Sequence, residues 1–309
     1  PVFVPSTNLP SLFLMPIATV IEIAGINITT GRIVSVAFGI AGIVAVFMLA
    51  RLVFGPFHAT IAAVVLATMR WDINWSRIGM HGITAPLFAA LTAYLTFRAL
   101  KSDRLSDYGY AGVAMGLGMW FYTPFRLFPL VVGFVLLHRF LVARPEIRRF
   151  SARVLVMVAT AVIVAAPVVQ SSVRETDQFF ARTNATSVFS LMPWNEAIES
   201  MWVSLGKHAL MFTHEGDANP RHNLPKKPML DFLSGILLVL GLGVALSRWR
   251  DPVMVILPVW MFVMVLPGVI TLPWEAPQSL RSITVLPSVT LLITLALGGL
   301  WRTGRSAPW

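Results

Sequence analysis

Residues 32–54 read RIVSVAFGIAGIVAVFMLARLVF, an apolar run whose two charged side chains, Arg32 and Arg51, lie near its ends. An α-helix needs about 20 consecutive apolar residues to cross the hydrocarbon core of a bilayer. Outward from this run the chain repeats the pattern, and we expect nine spanning helices in all. Their predicted bounds are 32–54, 58–75, 83–100, 109–123, 126–142, 153–172, 229–247, 252–270 and 282–301. The fourth and fifth are short, and Thr123-Pro124 between them predicts a tight turn or a broken helix.

The composition favours the same fold class. Of 309 residues, 56% are hydrophobic and only 12% are charged, whereas soluble domains carry roughly 25% charged residues. The chain has no cysteine, which excludes disulfides, thiolate metal sites and cysteine nucleophiles. The net charge of +10 is interleaved with the apolar runs, so we interpret it as topological charge and expect no nucleic-acid partner. The predicted fold class is an all-α, polytopic transmembrane helical bundle.

Basic side chains indicate the orientation in the membrane. Lys and Arg concentrate in alternate loops, and the positive-inside rule assigns such loops to the cytoplasm. These loops are Arg51, 98–104, 139–153, 248–250 and 302–305. We therefore expect a protein integral to the plasma (inner) membrane, with the amino end of this chain outside and the carboxyl end in the cytoplasm. An outside start with no span before it suggests a further spanning helix and loop before Pro1.

The predicted spans divide the chain into four parts. Residues 1–31 include the short apolar run 9–25, which we interpret as a helix lying in the outer membrane–water interface. The first six spans occupy 32–172, and the last three spans with a cytoplasmic tail occupy 229–309. Between them, 173–228 is an outer loop region of about 55 residues, too small for an independent domain.

Four arginines lie next to predicted helix ends on the outer side: Arg77, Arg126, Arg221 and Arg281. A guanidinium group is always charged and offers forked donors that match phosphate. If the four converge, they would suit a lipid-linked phosphate whose chain lies in the bilayer. The alternative for each is an interfacial arginine bound to the headgroups of membrane lipids.

The densest polar cluster is residues 211–231, MFTHEGDANPRHNLPKKPMLD, just before an apolar run. Within it, His214, Asp217 and His222 could ligate a divalent metal, because imidazole and carboxylate suit zinc or manganese. Their spacing matches no compact metal signature, so no cofactor is certain. For His222, a hydrogen-bonding role and an acid–base or substrate contact stay open beside metal ligation.

Several motifs resemble one family. The runs 32–55 and 71–77 (WDINWSR) are similar to the second and third spans of bacterial membrane-embedded glycosyltransferases of the GT-C type. These enzymes include protein O-mannosyltransferase and the lipid A aminoarabinose transferase. Residues 116–129 (GLGMWFYTPFRLFP) resemble their fifth and sixth spans, 216–231 resemble a loop of a prokaryotic branch, and 281–287 match an Arg-x(5)-Pro span start.

The resemblance implies transfer of a sugar from a polyprenyl-phosphate carrier to an acceptor on the outer face of the membrane. In the family the catalytic carboxylate usually lies in the first outer loop, and this chain begins after that position. The base is therefore expected before Pro1, since Glu22 already lies in the following helix. No catalytic residue is assigned within the chain, and the sequence does not indicate the acceptor.

The substrate-binding residues follow from the same hypothesis. The four arginines would clamp the phosphate of the donor. We expect Asp217, His222 and Asn223 to position the sugar or a metal, and Tyr122 to line the pocket. The alternative function is a non-catalytic lipid-binding membrane subunit or a degenerate family member in a larger complex. A transporter is less favoured, because most spans lack charged residues and no paired inverted halves are visible.

Overall fold

The computed structural model describes residues 3–4 and 9–306, with side chains for 11–177, 179–181 and 183–301. Within these ranges the chain forms fifteen α-helices. They are α1 (Leu14–Ala24), α2 (Ile28–Phe54), α3 (Pro56–Thr68), α4 (Arg70–Arg77), α5 (Thr84–Ser102), α6 (Leu105–Phe121), α7 (Phe128–Ala143), α8 (Ile147–Val164), α9 (Ala166–Arg174), α10 (Thr176–Thr186), α11 (Val188–Leu191), α12 (Trp194–Leu210), α13 (Phe232–Ser247), α14 (Pro252–Val269) and α15 (Leu286–Ser306).

The described chain also contains short 3₁₀ turns and one pair of short strands. Single 3₁₀ turns occupy His81–Ile83, Thr123–Leu127, Pro273–Glu275 and Ile283–Val285. Two strands of two residues each, β1 (Phe3–Val4) and β2 (Leu9–Pro10), pair antiparallel. Apart from this pair, the described chain has the predicted all-α class. The basic residues 302–305 and the end of the predicted tail, 307–309, lie outside the described side chains.

Local sequence explains where the long helices begin and end. The Asn27 side chain accepts the backbone N–H groups of Thr29 at 2.8 Å and Thr30 at 3.0 Å, which caps the first turn of α2. The helix ends at Gly55, whose φ of 89° is open to glycine, and Pro56 then starts α3. Asp231 caps α13 in the same way, by accepting the N–H of a residue in its first turn.

Among the described residues, five helical segments are long and apolar enough to cross a membrane: Ile28–Phe54, His81–Ser102, Thr123–Ala143, Pro252–Val269 and Ile283–Trp301. A sixth is counted if α8 and α9, bent by 65°, form one broken span. The predicted number of nine spans stays a prediction. Every predicted run does contain a helix, but α3 has 13 residues and α13 has 16, fewer than the about 20 that a full crossing needs.

Two predicted boundaries are wrong. The second predicted span, 58–75, is interrupted at Met69, whose backbone is extended with ψ 119°. The reason is a change from an apolar run to a polar one at Arg70, so the end of that run forms a separate helix, α4. The predicted outer loop region 173–228 is mostly helical, since it contains the end of α9 and all of α10, α11 and α12. Only its last part, 211–231, runs without helix before α13.

Small residues bring the spanning helices close together. A Cβ added to Gly112 or Gly116 of α6 would collide with backbone atoms of α8, so these glycines let the two helices pack closely. Gly241 of α13 lies equally close to the Leu292 backbone of α15. The predicted break at Thr123-Pro124 is confirmed as a 3₁₀ turn between α6 and α7. These contacts fix the helix ends from which α4, the 211–231 segment and the 276–282 turn approach each other.

Candidate functional site

Helix α4 is attached to the 211–231 segment by two polar side chains. The Arg70 guanidinium donates to the Pro228 carbonyl and, at 3.4 Å, to Asn223 Oδ1. One turn later, Asn74 Nδ2 donates to the carbonyls of Arg221 at 3.2 Å and His222 at 2.9 Å. These bonds hold the predicted polar cluster over α4.

Asp217 is the centre of the hydrogen-bond network in this cluster. Its Oδ1 accepts the Asn219 N–H at 2.8 Å. Its Oδ2 accepts from His222 Nδ1 at 3.0 Å and from both the N–H and the hydroxyl of Ser279, each at 2.8 Å. Since a carboxylate can only accept, the proton of the His222–Asp217 bond lies on Nδ1. One buried carboxylate thus joins the 211–231 segment to a turn 62 residues away along the chain.

These contacts decide the charge state of Asp217. Burial alone would raise its pKa, but the hydrogen bonds from His222, Asn219 and Ser279 outweigh burial and lower the pKa of Asp217 from its ordinary 3.8. The group is therefore ionised at neutral pH.

The turn at 276–282 receives a second buried bond from α12. The Gln278 N–H donates to His208 Nε2 at 3.0 Å, so the ring proton of His208 lies on Nδ1, 2.8 Å from the Ser204 carbonyl. Burial is the main cause that lowers the pKa of His208 below 6.5, against the opposing effects of the Ser204 bond and the Asp217 charge. His208 is therefore a neutral structural side chain.

Three further predicted site residues have defined contacts: Tyr122 and Arg281 at the 276–282 turn and its flank, and Arg126 at α10. The Tyr122 hydroxyl donates to the Leu280 carbonyl at 3.1 Å. Arg281 bonds Thr271 Oγ1 at 2.7 Å and forms an ion pair with Glu275 at 3.3 Å. Arg126, four residues after Tyr122, places its guanidinium carbon 4.3 Å from the centre of the Phe179 ring of α10. Tyr122 and Arg281 thus lie at one turn.

Arg77 and Arg221 lie at an exposed edge of the same assembly. Arg77 is three residues after Asn74 on α4, and Asn74 bonds the Arg221 carbonyl. Residues three apart on a helix share a face, so both arginines border the junction between α4 and the 211–231 segment. Asp217, His222 and Asn223 are brought together beneath them, since Asn223 Nδ2 donates to the Asp217 carbonyl at 3.3 Å.

The metal hypothesis finds little support in this arrangement. His214 is exposed and bonds Thr213 Oγ1 at 2.8 Å, while Asp217 and His222 bond each other. Among the described residues, no three His, Asp or Glu side chains are grouped so as to hold a metal ion. A divalent metal stays a prediction.

Sequence reasoning gave no role to four residues of the site: Arg70, His208, Gln278 and Ser279. The spacing of Arg70 and Asn74, four residues apart, would have indicated one polar face of a short helix. The polar run QSLRS at 278–282, directly before an apolar span, is a second signal of the same kind.

This arrangement of apolar helices, with polar segments joined at their ends, is the fold of membrane-embedded GT-C glycosyltransferases. ArnT from Cupriavidus metallidurans, solved with undecaprenyl phosphate, matches with a TM-score of 0.66 and 17% identity over 94% of this chain and 50% of ArnT. AglB from Archaeoglobus fulgidus, an archaeal oligosaccharyltransferase solved with an inhibitory peptide and a dolichol-phosphate, matches with a TM-score of 0.57 and 13% identity over 98% of this chain and 44% of AglB. Residues 9–170, more than half of the chain, match the family described as dolichyl-phosphate-mannose-protein mannosyltransferase, and the chain belongs to that family.

The comparisons define what this chain shares with the solved structures. Identities of 13–17% show a common fold. The chain spans half or less of the length of these solved structures. No curated protein matches it in sequence. The family and the apolar helices establish an integral membrane protein with a glycosyltransferase fold.

Proposed function

We propose that this chain is the membrane part of a glycosyltransferase that moves a sugar from a polyprenyl-phosphate donor to an acceptor on the outer face of the membrane. The observation that supports this most is the Asp217 network. It joins two segments that each carry an arginine, Arg221 and Arg281, into one platform against α4 and Tyr122. Support also comes from ArnT, which was solved with undecaprenyl phosphate in a structure of the same fold.

The transfer reaction needs fixed positive charge beside the leaving phosphate, and the arginines can supply it. In the transfer, the bond between the anomeric carbon and the phosphate oxygen breaks, the acceptor oxygen bonds the anomeric carbon in its place, and the acceptor hydroxyl gives its proton to a general base. The lipid phosphate leaves with increased negative charge, which fixed guanidinium groups stabilise. Arg281 is the best-held candidate, because Thr271 and Glu275 fix its orientation. Arg126 is held against Phe179 of α10.

Binding of undecaprenyl phosphate to the purified chain in lipid nanodiscs tests the proposal. We expect Arg281→Ala and Arg126→Ala each to weaken binding by roughly 10- to 100-fold, the loss of a charge-assisted contact. Arg281→Lys should lose less, because it keeps the charge but not the fork. Arg51→Ala, an exposed arginine at the other end of α2, is the matched control and should bind as wild type does.

Three outcomes separate the alternatives. Equal binding by wild type and both alanine variants would refute the phosphate clamp. Equal binding of undecaprenol, which lacks the phosphate, would show that only the chain of the lipid is recognised. Phosphate-dependent binding without sugar transfer, in a complete protein supplied with donor and acceptor, would favour the non-catalytic lipid-binding subunit.

A further inference from the structure

Helix α4 carries an unusual set of buried polar groups that the phosphate clamp does not use. Asp72 is 4% exposed, and no hydrogen bond or ion pair from any described residue reaches its carboxylate. Trp71 and Trp75 are 1% and 0% exposed, and their indole N–H groups have no partner among the described residues. Buried polar groups are nearly always hydrogen-bonded, and an unpaired one lowers stability. Within the part of the chain that the structure describes, this eight-residue helix thus carries two indole N–H groups and one carboxylate without a partner.

The surroundings of α4 place these groups beside the platform. The Trp75 ring lies 5.1 Å from the His222 ring, centre to centre. His222 uses Nδ1 for Asp217, and its other ring nitrogen, Nε2, bonds no residue in the described part of the chain. Asp72 precedes Trp75 and Ser76 by one turn and shares their face of the helix. Ser76 packs against Gly39 of α2, so the face of α4 that carries Asp72 lies against α2.

The chemistry of the set indicates what it would bind. Indole N–H groups only donate hydrogen bonds, a carboxylate accepts them, and an imidazole nitrogen accepts or donates according to whether it carries a proton. A metal ion needs electron-pair donors and would leave the indoles unpaired. A phosphate would be repelled by the Asp72 carboxylate. A ring of hydroxyl groups, each both donor and acceptor, matches all four.

We propose that Asp72, Trp71, Trp75 and His222 Nε2 form the subsite that receives the sugar ring of the donor lipid. This inference rests on the proposed function and adds the place of the sugar to it. Because the three α4 side chains are buried, the sugar reaches them only when the overlying 216–228 turn, held by Arg70 and Asn74, moves away from α4. In the bound state the sugar hydroxyls take the place of the missing partners, and the turn closes again over the ring.

The test compares two probes in nanodiscs: undecaprenyl phosphate, and undecaprenyl phosphates that carry a single mannose, glucose or pentose. Wild type should bind at least one sugar-bearing lipid more tightly than undecaprenyl phosphate. Asp72→Asn keeps the shape and should abolish this preference, with a loss of roughly tenfold or more for the sugar-bearing lipid. Its binding of undecaprenyl phosphate should stay as in wild type. Trp75→Phe, which removes one N–H and keeps most of the ring, should lose a smaller part of the preference.

The controls separate the subsite from folding and from the proposed function. Glu215→Gln removes an exposed carboxylate on the same side and should change neither affinity. Asp72→Asn should unfold at the same temperature as wild type or higher, because it removes an unpaired buried charge. An unchanged preference in Asp72→Asn, or equal losses for both lipids, would overturn the subsite while the phosphate clamp stands. No binding of any lipid to wild type would refute the proposed function and the subsite together.

Discussion

Replacing Asp217 with Asn should detach the 276–282 turn from the 211–231 segment. The carboxylate accepts three bonds at Oδ2 and one at Oδ1. An asparagine can place its single carbonyl oxygen at only one of these two positions. In its better orientation it keeps the bonds of His222 and Ser279, without the charge, and turns its NH₂ toward the Asn219 N–H.

The size of the effect follows from these contacts. The bonds from Asn219 and His222 lie within the 211–231 segment and form whether or not the turn is docked. The two bonds from Ser279 cross to the turn, and in Asp217→Asn they become neutral bonds of roughly half the strength. The docked state should therefore be weakened by about 2 kcal/mol, which corresponds to a roughly thirtyfold larger population of the detached turn.

Amide hydrogen exchange reads this population directly. The Ser279 N–H donates to Asp217 Oδ2, so its exchange should become roughly thirtyfold faster in Asp217→Asn. Asp231→Asn is the control with the same change of charge. Asp231 caps α13 at an exposed position, and Asn caps a helix about as well as Asp. Unchanged exchange at Ser279 in Asp217→Asn would refute the role given to the Asp217 network.

Two further predictions concern pH and orientation. The pKa of His208 is below 6.5 in the docked form, so the detached form takes up a proton that the docked form excludes. Docking should therefore weaken as pH falls below 6.5. Thermal unfolding between about pH 5 and pH 7 should show this dependence in wild type and not in His208→Gln. Asp217 does not contribute to this dependence. Its pKa is lowered from the ordinary value of 3.8, so the stability that it provides is lost only as pH falls below 3.8. Because the chain has no cysteine, single cysteines at exposed Lys227 and Arg248 report orientation, and we expect a membrane-impermeant thiol reagent to label Lys227→Cys alone in intact cells. Labelling of Arg248→Cys alone would contradict the orientation taken from the positive-inside rule.

The sequence predicted the parts of this molecule that repeat a pattern. Apolar runs marked every helix that is long and apolar enough to cross a membrane, and Thr123-Pro124 marked the break between α6 and α7. Hydropathy alone does not decide whether a shorter apolar helix, such as α3 or α13, crosses. The helices α10 and α12 were missed because an amphipathic helix resembles a polar loop when only charge is read.

The sequence indicated which residues belong to the site but not which hydrogen bonds join them. Asp217, His222 and Asn223 were identified because polar residues cluster there beside apolar runs. The bonds from Asp217 to Ser279 and from Gln278 to His208 join irregular segments 62 and 70 residues apart. Such bonds follow no helical or strand period, so nothing in the local sequence indicates them. The position of Arg126 against Phe179 escaped prediction for the same reason.

The contrast between the two buried carboxylates of the site separates scaffold from ligand contact. Asp217, expected from the sequence to position sugar or metal, uses both oxygens on donors of the protein itself. It therefore acts on a substrate only through His222, whose ring it orients. Asp72, a residue of similar burial, has no described partner. A satisfied carboxylate contributes to stability and an unsatisfied one lowers it, so substitution of the two should move stability in opposite directions, down for Asp217→Asn and level or up for Asp72→Asn. Opposite effects of the two substitutions on stability are expected if Asp72 binds a ligand and Asp217 belongs to the scaffold. A purely structural Asp72 would not combine unchanged or increased stability in Asp72→Asn with a loss of sugar preference.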